Sequence, residues 1–329
     1  MKDIKGLKES LIYGINTSDK VIIIPHVNPD FDAIGSALGL AVIAKKYKKD
    51  VYIIVDEPSY KLYKGVSDIL KDIKNEFKVI SSAEYKTIKG DNDLFILTDV
   101  NGKNRIPLKD EIVDNKTIVI DHHDENDDTI EGFYNYIDTS VSSASEIVTS
   151  IICSKIPAKI ANYLLTGIYL DTDHLNKNFK KNTAKSVSKL MEYGADMNDV
   201  TELFLEDFYS DRRVQQLINN VQFLTYIIAY VEGNQNTEYT REELARAADY
   251  LLKCKCPVNT VNASFVIGDI GDGIMSVSAR SKSNVDVGEV MRQVSGGGSP
   301  TSGATQFNIS EKSEKTQKIL SLIKPKYLK

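Results

Sequence analysis

Four apolar segments of strand length in the first half of the chain constrain its fold more than any other feature. They lie at 20–26, 51–56, 94–100 and 117–122, and a run with helical periodicity fills 33–46. Runs of Val, Ile and Leu without polar alternation are typical of strands buried on both faces. The sequence therefore predicts an α/β fold in which helices cover a parallel sheet.

The character of the chain changes after about residue 219. Three segments with strand character meet at glycine-rich turns, and the run "REELARAADYLL" between the first two is typical of a helix. A length of 329 residues also favours about two domains. We expect a first domain at 1–190, a helical linker at 191–218 and a smaller α/β domain at 219–329.

Two further helices are predicted between these regions. Ser143, followed three residues later by Glu146, fits a capping box at the start of one helix. The run "AKIANYLLTGIYLDTDHL" is typical of a second helix, which leads toward Asp171 and His174. The later segment "GGGS" at 296–299 is predicted to be a loop.

Acidic and imidazole side chains cluster where the predicted strands end. In chain order they are His26, Asp30 and Asp32 after the first strand, Asp99 at the third, Asp121, His122 and His123 at the fourth, and Asp171, Asp173 and His174 at the later helix. These clusters contain all four histidines of the chain. Because ligands of open parallel sheets bind beyond the carboxyl ends of the strands, we expect these side chains to converge.

The carboxylates in such a crevice would repel one another unless cations neutralise their charge. Mixed His and Asp ligands suit divalent transition metals such as Mn²⁺. Two ions that share a bridging carboxylate form the clamp used to transfer a phosphoryl group to water. A lone Asp or His at a strand end is usually a turn residue or a core group, and only the convergence favours a metal site.

Charge and composition exclude several classes of protein. A net charge of −5 argues against a broad surface for duplex nucleic acid, although a small anionic substrate remains compatible with it. Three cysteines are too few for a disulfide framework. The polar start lacks the apolar core of a signal peptide, and no run approaches the ~18 apolar residues of a membrane span. We expect a cytoplasmic protein without a membrane segment.

Four motifs then identify a family resemblance. The segments "HVNPDFDAIGSALG", "LTDV", "IDHHDEN" and "GIYLDT" resemble, in order and spacing, the motifs of the DHH phosphoesterase superfamily. The segments "SVSARSKSNVDVGEVM" and "SGGGSPTSGATQF" resemble its DHH-associated C-terminal domain. "SSASEIVTSII" and "EYGADMNDV" are similar to the catalytic part of bacterial cyclic-di-AMP phosphodiesterases. Membrane-bound members carry further segments ahead of this part, so the resemblance implies a stand-alone or a truncated enzyme.

The resemblance implies a metal-dependent phosphodiesterase and roles for individual residues. One metal would have the ligands His26, Asp30 and Asp99, and the second would have Asp32, Asp99, His122 and Asp171, with Asp99 bridging. His123 would donate a hydrogen bond to the scissile phosphate, and Asp121 would orient His122 or His123. Direct roles for Asp173 and His174, one step beyond the motif, are left open.

The resemblance also implies substrate contacts in the C-terminal domain. Ser278 and Arg280 would hold a phosphate, while Gly296, Gly297 and Gly298 would let backbone N–H groups approach an anion or a base. A surface ion pair is the alternative for Arg280, and a simple turn is the alternative for the glycines. Three positions depart from the family pattern: Ser299 replaces the His of the usual GGGH loop, Phe31 replaces a Gly, and Asn101 replaces a His.

The activity implied by the resemblance is hydrolysis of cyclic di-AMP to pApA, with further cleavage to AMP left open. The implied cofactors are two Mn²⁺ ions, with Mg²⁺ or Co²⁺ as other divalent candidates. A nanoRNase or 3′-phosphoadenosine-5′-phosphate phosphatase is the alternative with the same centre. A catalytically weak nucleotide-binding sensor and a pyrophosphatase or polyphosphatase are further alternatives. The expected partners are a small nucleotide and, as is common among relatives, a second copy of the chain in a homodimer.

Overall fold

The computed structural model describes residues 3–56, 64–205, 207–225, 227–255, 260–282 and 285–327. The chain divides into two compact units, Met1–Leu205 and Glu206–Lys329. This boundary lies within the segment 191–218, for which the sequence predicts a linker. Each unit is built on a sheet with helices, and the predicted α/β fold, with a parallel sheet in the first domain, is confirmed.

The first unit is built on a six-stranded parallel sheet. Its strands are β1 (Lys20–Ile24), β2 (Asp50–Ile54), β3 (Lys78–Ile80), β4 (Asp93–Thr98), β5 (Thr117–Asp121) and β6 (Tyr134–Ile137). Its helices are α1 (Ile4–Thr17), α2 (Phe31–Lys45), α3 (Lys64–Ile73), α4 (Ser82–Ile88), α5 (Ala144–Ile151), α6 (Ala158–Asp171), α7 (Lys181–Glu192) and α8 (Met197–Glu202). The strand order is β3-β2-β1-β4-β5-β6, so the direction of winding changes between β1 and β4. A ligand crevice is expected at this point, beyond the carboxyl ends of the strands.

Successive residues of β1 are buried on opposite faces of the sheet. Val21 and Ile23 belong to one apolar cluster, and Ile22 and Ile24 belong to another. All four side chains are fully buried. Burial on both faces explains why this strand is an unbroken apolar run in the sequence.

Small residues let α2 and α6 pack closely beneath the crevice. A Cβ atom on Gly167 of α6 would lie 2.7 Å from Asp32 Oδ1 and 2.5 Å from Ser145 Oγ. Ser36 of α2 accepts a hydrogen bond of 2.8 Å from the hydroxyl of Thr98, at the end of β4. The helices and strands that carry the candidate ligands are therefore held directly against one another.

The second unit is built on a mixed six-stranded sheet. Its strands are β7 (Gln222–Thr225), β8 (Ile228–Glu232), β9 (Ala263–Asp269), β10 (Ile274–Ser281), β11 (Gly297–Gly298) and β12 (Ser302–Asn308), in the order β11-β12-β10-β9-β8-β7. Its helices are α9 (Phe208–Asn219), α10 (Arg241–Leu252), α11 (Val287–Arg292) and α12 (Lys312–Tyr327). The pair β8–β9 is parallel and the other neighbours are antiparallel.

Two apolar clusters bury the two faces of this second sheet. Residues of α9 and α10 pack with Ala229 and Val231 of β8, while residues of α11 and α12 pack with Ile228 and Tyr230 of the same strand. Among the described residues of both units, no helix combines the length and the apolar character that a membrane crossing requires.

Candidate functional site

The carboxyl ends of β1, β4 and β5 bring the predicted metal ligands together. Three groups of side chains each have ligand atoms within 4.8 Å of one another. The groups are His26, Asp30 and Asp99; Asp32, His122 and Asp171; and Asp99, Asp121, His122 and His123. The structure therefore collects every residue for which the sequence predicts a metal-ligating or catalytic role.

Asp99 lies at the centre of the site and faces two groups of ligands. Its Oδ2 atom lies 3.5 Å from Nε2 of His26, and its Oδ1 atom lies 3.3 Å from Nε2 of His122. The residue has a φ of +59°, in the left-handed region, which costs a residue other than glycine about 1–2 kcal/mol. Such backbone strain clusters at functional sites. A carboxylate whose two oxygens face opposite groups has the arrangement of a bridging ligand.

His26 and Asp30 form the first group with Asp99. Nδ1 of His26 lies 2.8 Å from the carbonyl oxygen of Val27, so a proton on Nδ1 leaves Nε2 as the ligand atom. Oδ1 of Asp30 caps α2 by accepting from the amides of Asp32 and Ala33, while Oδ2 lies 3.9 Å from Nε2 of His26. Each of these two side chains thus uses one atom for a contact with the nearby main chain and directs a second atom toward the other candidate ligands.

Asp32 is fully buried and is held by the start of α5. Its two carboxylate oxygens accept hydrogen bonds of 2.7 Å and 2.8 Å from the amides of Ala144 and Ser145. The positive end of the helix dipole favours a negative charge at this position. Oδ2 also lies 3.9 Å from Nε2 of His122. Because a carboxylate oxygen has two lone pairs, these contacts leave capacity for a cation.

Asp171, the last residue of α6, completes the second group. Its Oδ2 atom lies 3.2 Å from Nε2 of His122. The sequence left open whether Asp173 and His174 take a direct part in the site. Asp173 forms an ion pair of 2.9 Å with Lys177. The ring of His174 stacks on the ring of Tyr169, with centroids 4.7 Å apart. Among the described residues, neither neighbour belongs to a group of candidate metal ligands.

Asp121 and His123 form a pair at the edge of the centre. Oδ1 of Asp121 lies 2.9 Å from Nδ1 of His123 and accepts a hydrogen bond of 2.8 Å from the amide of His122. The side chain of His123 is 43% exposed, so a ligand can reach it. This carboxylate therefore fixes the orientation of an accessible imidazole ring.

Asn101 contributes to the site in a way that the sequence did not reveal. Its Nδ2 atom lies 3.4 Å and 3.3 Å from the carbonyl oxygens of His123 and Asp124, and its Oδ1 atom accepts from the hydroxyl of Thr129. Asn101 therefore links the end of β4 to the loop that carries His123. The only signal in the sequence was its departure from the family pattern.

Burial and neighbouring charges shift the pKa values of the clustered side chains. Burial would lower the pKa of His122, but the adjacent carboxylates of Asp171 and Asp99 raise it to about 11. Burial, with the negative charge of Asp99, raises the pKa of Asp30 to about 6 and that of Asp32 well above its usual range. Burial acts in the same direction on Asp99, but the adjacent imidazoles of His122 and His26 hold its pKa below the ordinary value.

Three buried polar atoms of this cluster have no hydrogen-bond partner among the described residues. They are Oδ1 of Asp99, Oδ2 of Asp121 and Nε2 of His122. Leaving one such atom unsatisfied costs about 1–3 kcal/mol. Two of the three, on Asp99 and His122, are the atoms that face each other across the centre. Divalent cations would satisfy these atoms, so the donor set fits divalent metal ions.

The second unit contains a pocket of about 600 Å³ between β10, β12, the glycine segment and α10. It brings together five of the six residues for which the sequence predicts substrate contacts: Ser278, Arg280, Gly296, Gly297 and Gly298. The described lining does not include Ser299, which is exposed and accepts a hydrogen bond from the amide of Ser302. Nε of Arg280 lies 3.1 Å from Oδ1 of Asp249, so the ion pair considered as an alternative is also present.

Gly297 leaves part of this pocket open. A Cβ atom at this position would meet no described atom within 4 Å, and its φ lies outside the left-handed region. Gly298, in contrast, has a φ of +137°, and this backbone conformation is by itself a reason for glycine at the position. Neither packing nor backbone conformation in the described structure explains the glycine at Gly297.

Comparisons with known proteins agree with this architecture. The model of the "DHH family, N-terminal domain" matches residues 20–168, and the model of the "DHHA1 domain" matches residues 223–326. A solved exopolyphosphatase-related protein from Bacteroides fragilis has the same fold, with a TM-score of 0.79 and 22% sequence identity over 98% of this chain and 97% of that one. The predicted presence of a DHH domain and of its associated C-terminal domain is confirmed, while the bounds 1–190, 191–218 and 219–329 stay a prediction.

Curated relatives carry names of phosphoesterases. The cyclic-di-AMP phosphodiesterase GdpP of Geobacillus thermodenitrificans (strain NG80-2) is 29% identical over 89% of this chain and 45% of its own length. The probable bifunctional oligoribonuclease and PAP phosphatase NrnA of Streptococcus mutans serotype c is 26% identical over 96% of this chain and 99% of its own length. The chain thus spans less than half of the first relative and nearly the whole of the second.

Proposed function

Because the chain belongs to the DHH family and carries its DHHA1 domain, we propose that it is a divalent-metal-dependent phosphodiesterase that hydrolyses cyclic di-AMP to pApA. The observation that carries this proposal is the geometry of Asp99, whose two carboxylate oxygens face His26 and His122 separately. A bridging carboxylate between two ligand groups suits a pair of cations, and paired cations suit hydrolysis of a phosphodiester.

In this proposal the two groups of ligands hold two ions, and Mn²⁺ is the preferred metal. His26, Asp30 and Asp99 would hold one, and Asp32, His122 and Asp171, with Asp99, would hold the other. When bound, the ions supply positive charge that polarises the phosphoryl group and activates water. The amides of Ala144 and Ser145 fix the carboxylate of Asp32, so its position does not depend on the metal.

His123 would act on the scissile phosphate. Its Nδ1 atom faces the carboxylate of Asp121, which orients the ring. A protonated ring can donate from Nε2 to a phosphoryl oxygen or to the leaving oxygen. Asn101 supports this role because it holds the main chain of the loop at His123 and Asp124.

A second candidate function is hydrolysis of short oligoribonucleotides and 3′-phosphoadenosine-5′-phosphate. It is favoured by the match to the NrnA relative, which extends over nearly the whole length of both chains. Both candidates use the same metal ligands, so the centre alone does not distinguish them. The substrate contacts of the second unit are the part of the chain on which they can differ.

The test is a comparison of kcat/KM for cyclic di-AMP, pApA and 3′-phosphoadenosine-5′-phosphate, with Mn²⁺ and with EDTA. We expect metal-dependent opening of cyclic di-AMP to pApA. Faster turnover of 3′-phosphoadenosine-5′-phosphate would replace the first candidate by the second. Tight nucleotide binding without turnover in Mn²⁺ would instead indicate a sensor.

Asp99→Asn is the matching variant. It should lower kcat/KM by at least about 10³-fold, on the scale of removing a central catalytic group. The fold should remain, because Asn is nearly the same size and tolerates a positive φ. Circular dichroism and a metal titration would show a folded protein with weakened Mn²⁺ binding. Substantial residual turnover would contradict the bridging role.

A further inference from the structure

A small pocket in the first unit includes the candidate metal ligand His26 in its lining. It has a volume of about 160 Å³, and its apolar walls come from Pro29, Ile54, Val55 and Pro107. Pockets that hold a whole small ligand usually have about 300–1,000 Å³. The small pocket is therefore suited to one ring system of a ligand whose remainder lies outside it.

Apart from His26, the polar side chains in the described lining of the small pocket are Asn28 and Asp56. Asp56 follows β2, and its two carboxylate oxygens accept hydrogen bonds of 2.6 Å and 2.8 Å from the amide and the hydroxyl of Ser82. Because each carboxylate oxygen has two lone pairs, each can accept one more hydrogen bond. Ser82 thus fixes Asp56 in the lining of the pocket as an acceptor with remaining capacity.

Asn28 is exposed, and its φ of +57° lies in the left-handed region. Proline follows it in the chain, and the residue before a proline is normally restricted to extended conformations. Backbone strain of this kind clusters at functional sites. Within the described part of the chain, the side-chain amide of Asn28 has no hydrogen-bond partner, so its donor and its acceptor are both open to a ligand.

The donors and acceptors of the small pocket match one edge of adenine. Asparagine pairs with adenine by accepting from the N6 amino group and donating to N7. The N6 amino group has a second hydrogen, which the carboxylate of Asp56 can accept. Guanine and hypoxanthine have an acceptor oxygen in place of this amino group, so the same carboxylate would repel them. The apolar walls suit the faces of the ring.

We propose that the small pocket binds an adenine base of the substrate, and that Asp56 and Asn28 are the residues that select adenine. The identity of the ligand as an adenine nucleotide rests on the proposed function. His26 belongs both to the lining of the pocket and to the candidate metal ligands, with its Nε2 atom 3.5 Å from Oδ2 of Asp99. A nucleotide whose phosphate lies at the metal centre can therefore place its base in the adjacent pocket.

The test changes the base of the ligand and the acceptor of the protein in turn. AMP contains no diester bond, so calorimetry can measure its binding to the full chain in Mn²⁺, and IMP carries an oxygen in place of the N6 amino group. We expect the wild type to bind AMP about tenfold more tightly than IMP, as for one hydrogen bond to a charged group. Asp56→Asn replaces one acceptor oxygen by a donor, so it should weaken AMP binding and lower the ratio of the two affinities to about one.

Two further variants separate base binding from structural roles. The matched control is Asp50→Asn at the other end of β2, where Asp50 forms an ion pair of 2.6 Å with Lys78 and is absent from the described lining. It should leave the ratio unchanged. Asn28→Gly keeps the backbone conformation, because glycine adopts a positive φ without strain. It should weaken AMP binding about fivefold, as for one hydrogen bond, and circular dichroism should show an unchanged fold.

Each outcome decides the role of the small pocket separately from the activity. The proposal is overturned if the wild type binds AMP no more tightly than IMP or GMP, if it binds no AMP, or if Asp56→Asn weakens AMP and IMP binding equally. Unchanged AMP affinity in Asn28→Gly would remove Asn28 from the base contacts. If the chain selects AMP through Asp56 but hydrolyses no cyclic di-AMP in Mn²⁺, the phosphodiesterase proposal fails and the base pocket stands. If it hydrolyses cyclic di-AMP while Asp56→Asn leaves the ratio unchanged, the reverse holds.

Discussion

Phe31 shows that a residue in a site motif can serve the core. It lies between Asp30 and Asp32 and is 1% exposed, and its ring packs against Phe204 with centroids 4.7 Å apart. A Cβ atom on Gly65 would collide with the same ring, so Gly65 leaves the room that Phe31 occupies. The departure from the family pattern is therefore explained by packing with residues that are distant in sequence.

Ser299 is the departure from the family pattern that lies next to the glycines predicted to contact the substrate. We predict that Ser299→His lowers KM for the nucleotide about threefold without changing kcat, because an imidazole at this position adds a ring that can stack on a base and a hydrogen-bond donor. Steady-state kinetics on the preferred substrate would measure the change.

Ser299→Ala is the control for this substitution, since it removes the hydroxyl that contacts the Ser302 amide and the Thr301 hydroxyl and adds no ring. If the His and Ala variants have the same KM as the wild type, a histidine at position 299 does not contribute to nucleotide binding in this chain.

At the scale of elements, the start of α5 shows how a local motif is altered by tertiary contacts. The sequence predicts a capping box, and the hydroxyl of Ser143 does accept from the amide of Glu146 at 3.0 Å. The Glu146 carboxylate, only 1% exposed, does not complete the box: its Oε2 accepts from the amide and hydroxyl of Ser142 and from the hydroxyl of Thr183. This network fixes the turn whose amides hold Asp32.

Glu146→Gln tests whether this turn supports the metal centre. The neutral amide keeps one acceptor oxygen but removes the negative charge, so the bonds from Ser142 and Thr183 to this oxygen lose their charge assistance and weaken. We expect Mn²⁺ affinity to fall about tenfold, the lower end of the effect of residues that orient metal ligands. Calorimetric titration with Mn²⁺ and thermal denaturation would measure binding and stability separately.

Thr149→Val is the matched control for Glu146→Gln. Its hydroxyl is buried in the same helix and donates to the carbonyl of Ser145 at 2.7 Å, with no contact to the turn at Ser142. It should lower stability without lowering Mn²⁺ affinity. If both variants lose metal affinity in proportion to stability, α5 acts only as a structural support.

The sequence predicted the elements with the strongest apolar signal and missed the weaker ones. Strands β1, β2, β4 and β5 were predicted because they are long and apolar. The edge strands β3 and β6 were missed because β3 has three residues and β6, "YNYI", is interrupted by Asn135. The predicted loop of glycines contains the short strand β11, which exists only through its pairing with β12.

The residues of the candidate site could be predicted from the sequence better than the residues that hold them in place. The candidate metal ligands follow directly from motif positions at strand ends. The contacts of Asn101 and Glu146 could not be predicted, because each depends on loops or helices that fold onto one another from separate parts of the chain.

At the scale of the whole molecule, the net charge of −5 is the sum over two sites whose local charges have opposite signs. The first unit concentrates carboxylates around Asp99, whereas the pocket of the second unit is lined by Arg280 together with the hydroxyls of Ser276, Ser278 and Thr305. A cation should therefore bind the first unit, and a phosphorylated nucleotide should have a separate contact with the second. The overall charge of −5 reflects neither site.

Hydrogen exchange measured by mass spectrometry can separate the two sites within the intact chain. We expect Mn²⁺ alone to slow exchange at the ends of β1, β4 and β5 and at the start of α5, since a cation that satisfies the buried ligands lowers the free energy of the closed state there. We expect pApA in EDTA to slow exchange in β10 and at 296–306. Asp99→Asn should abolish only the first effect, and Arg280→Gln should weaken only the second. Protection of β10 by Mn²⁺ alone, or loss of the pApA effect in Asp99→Asn, would contradict a division of cation and phosphate binding between the two units.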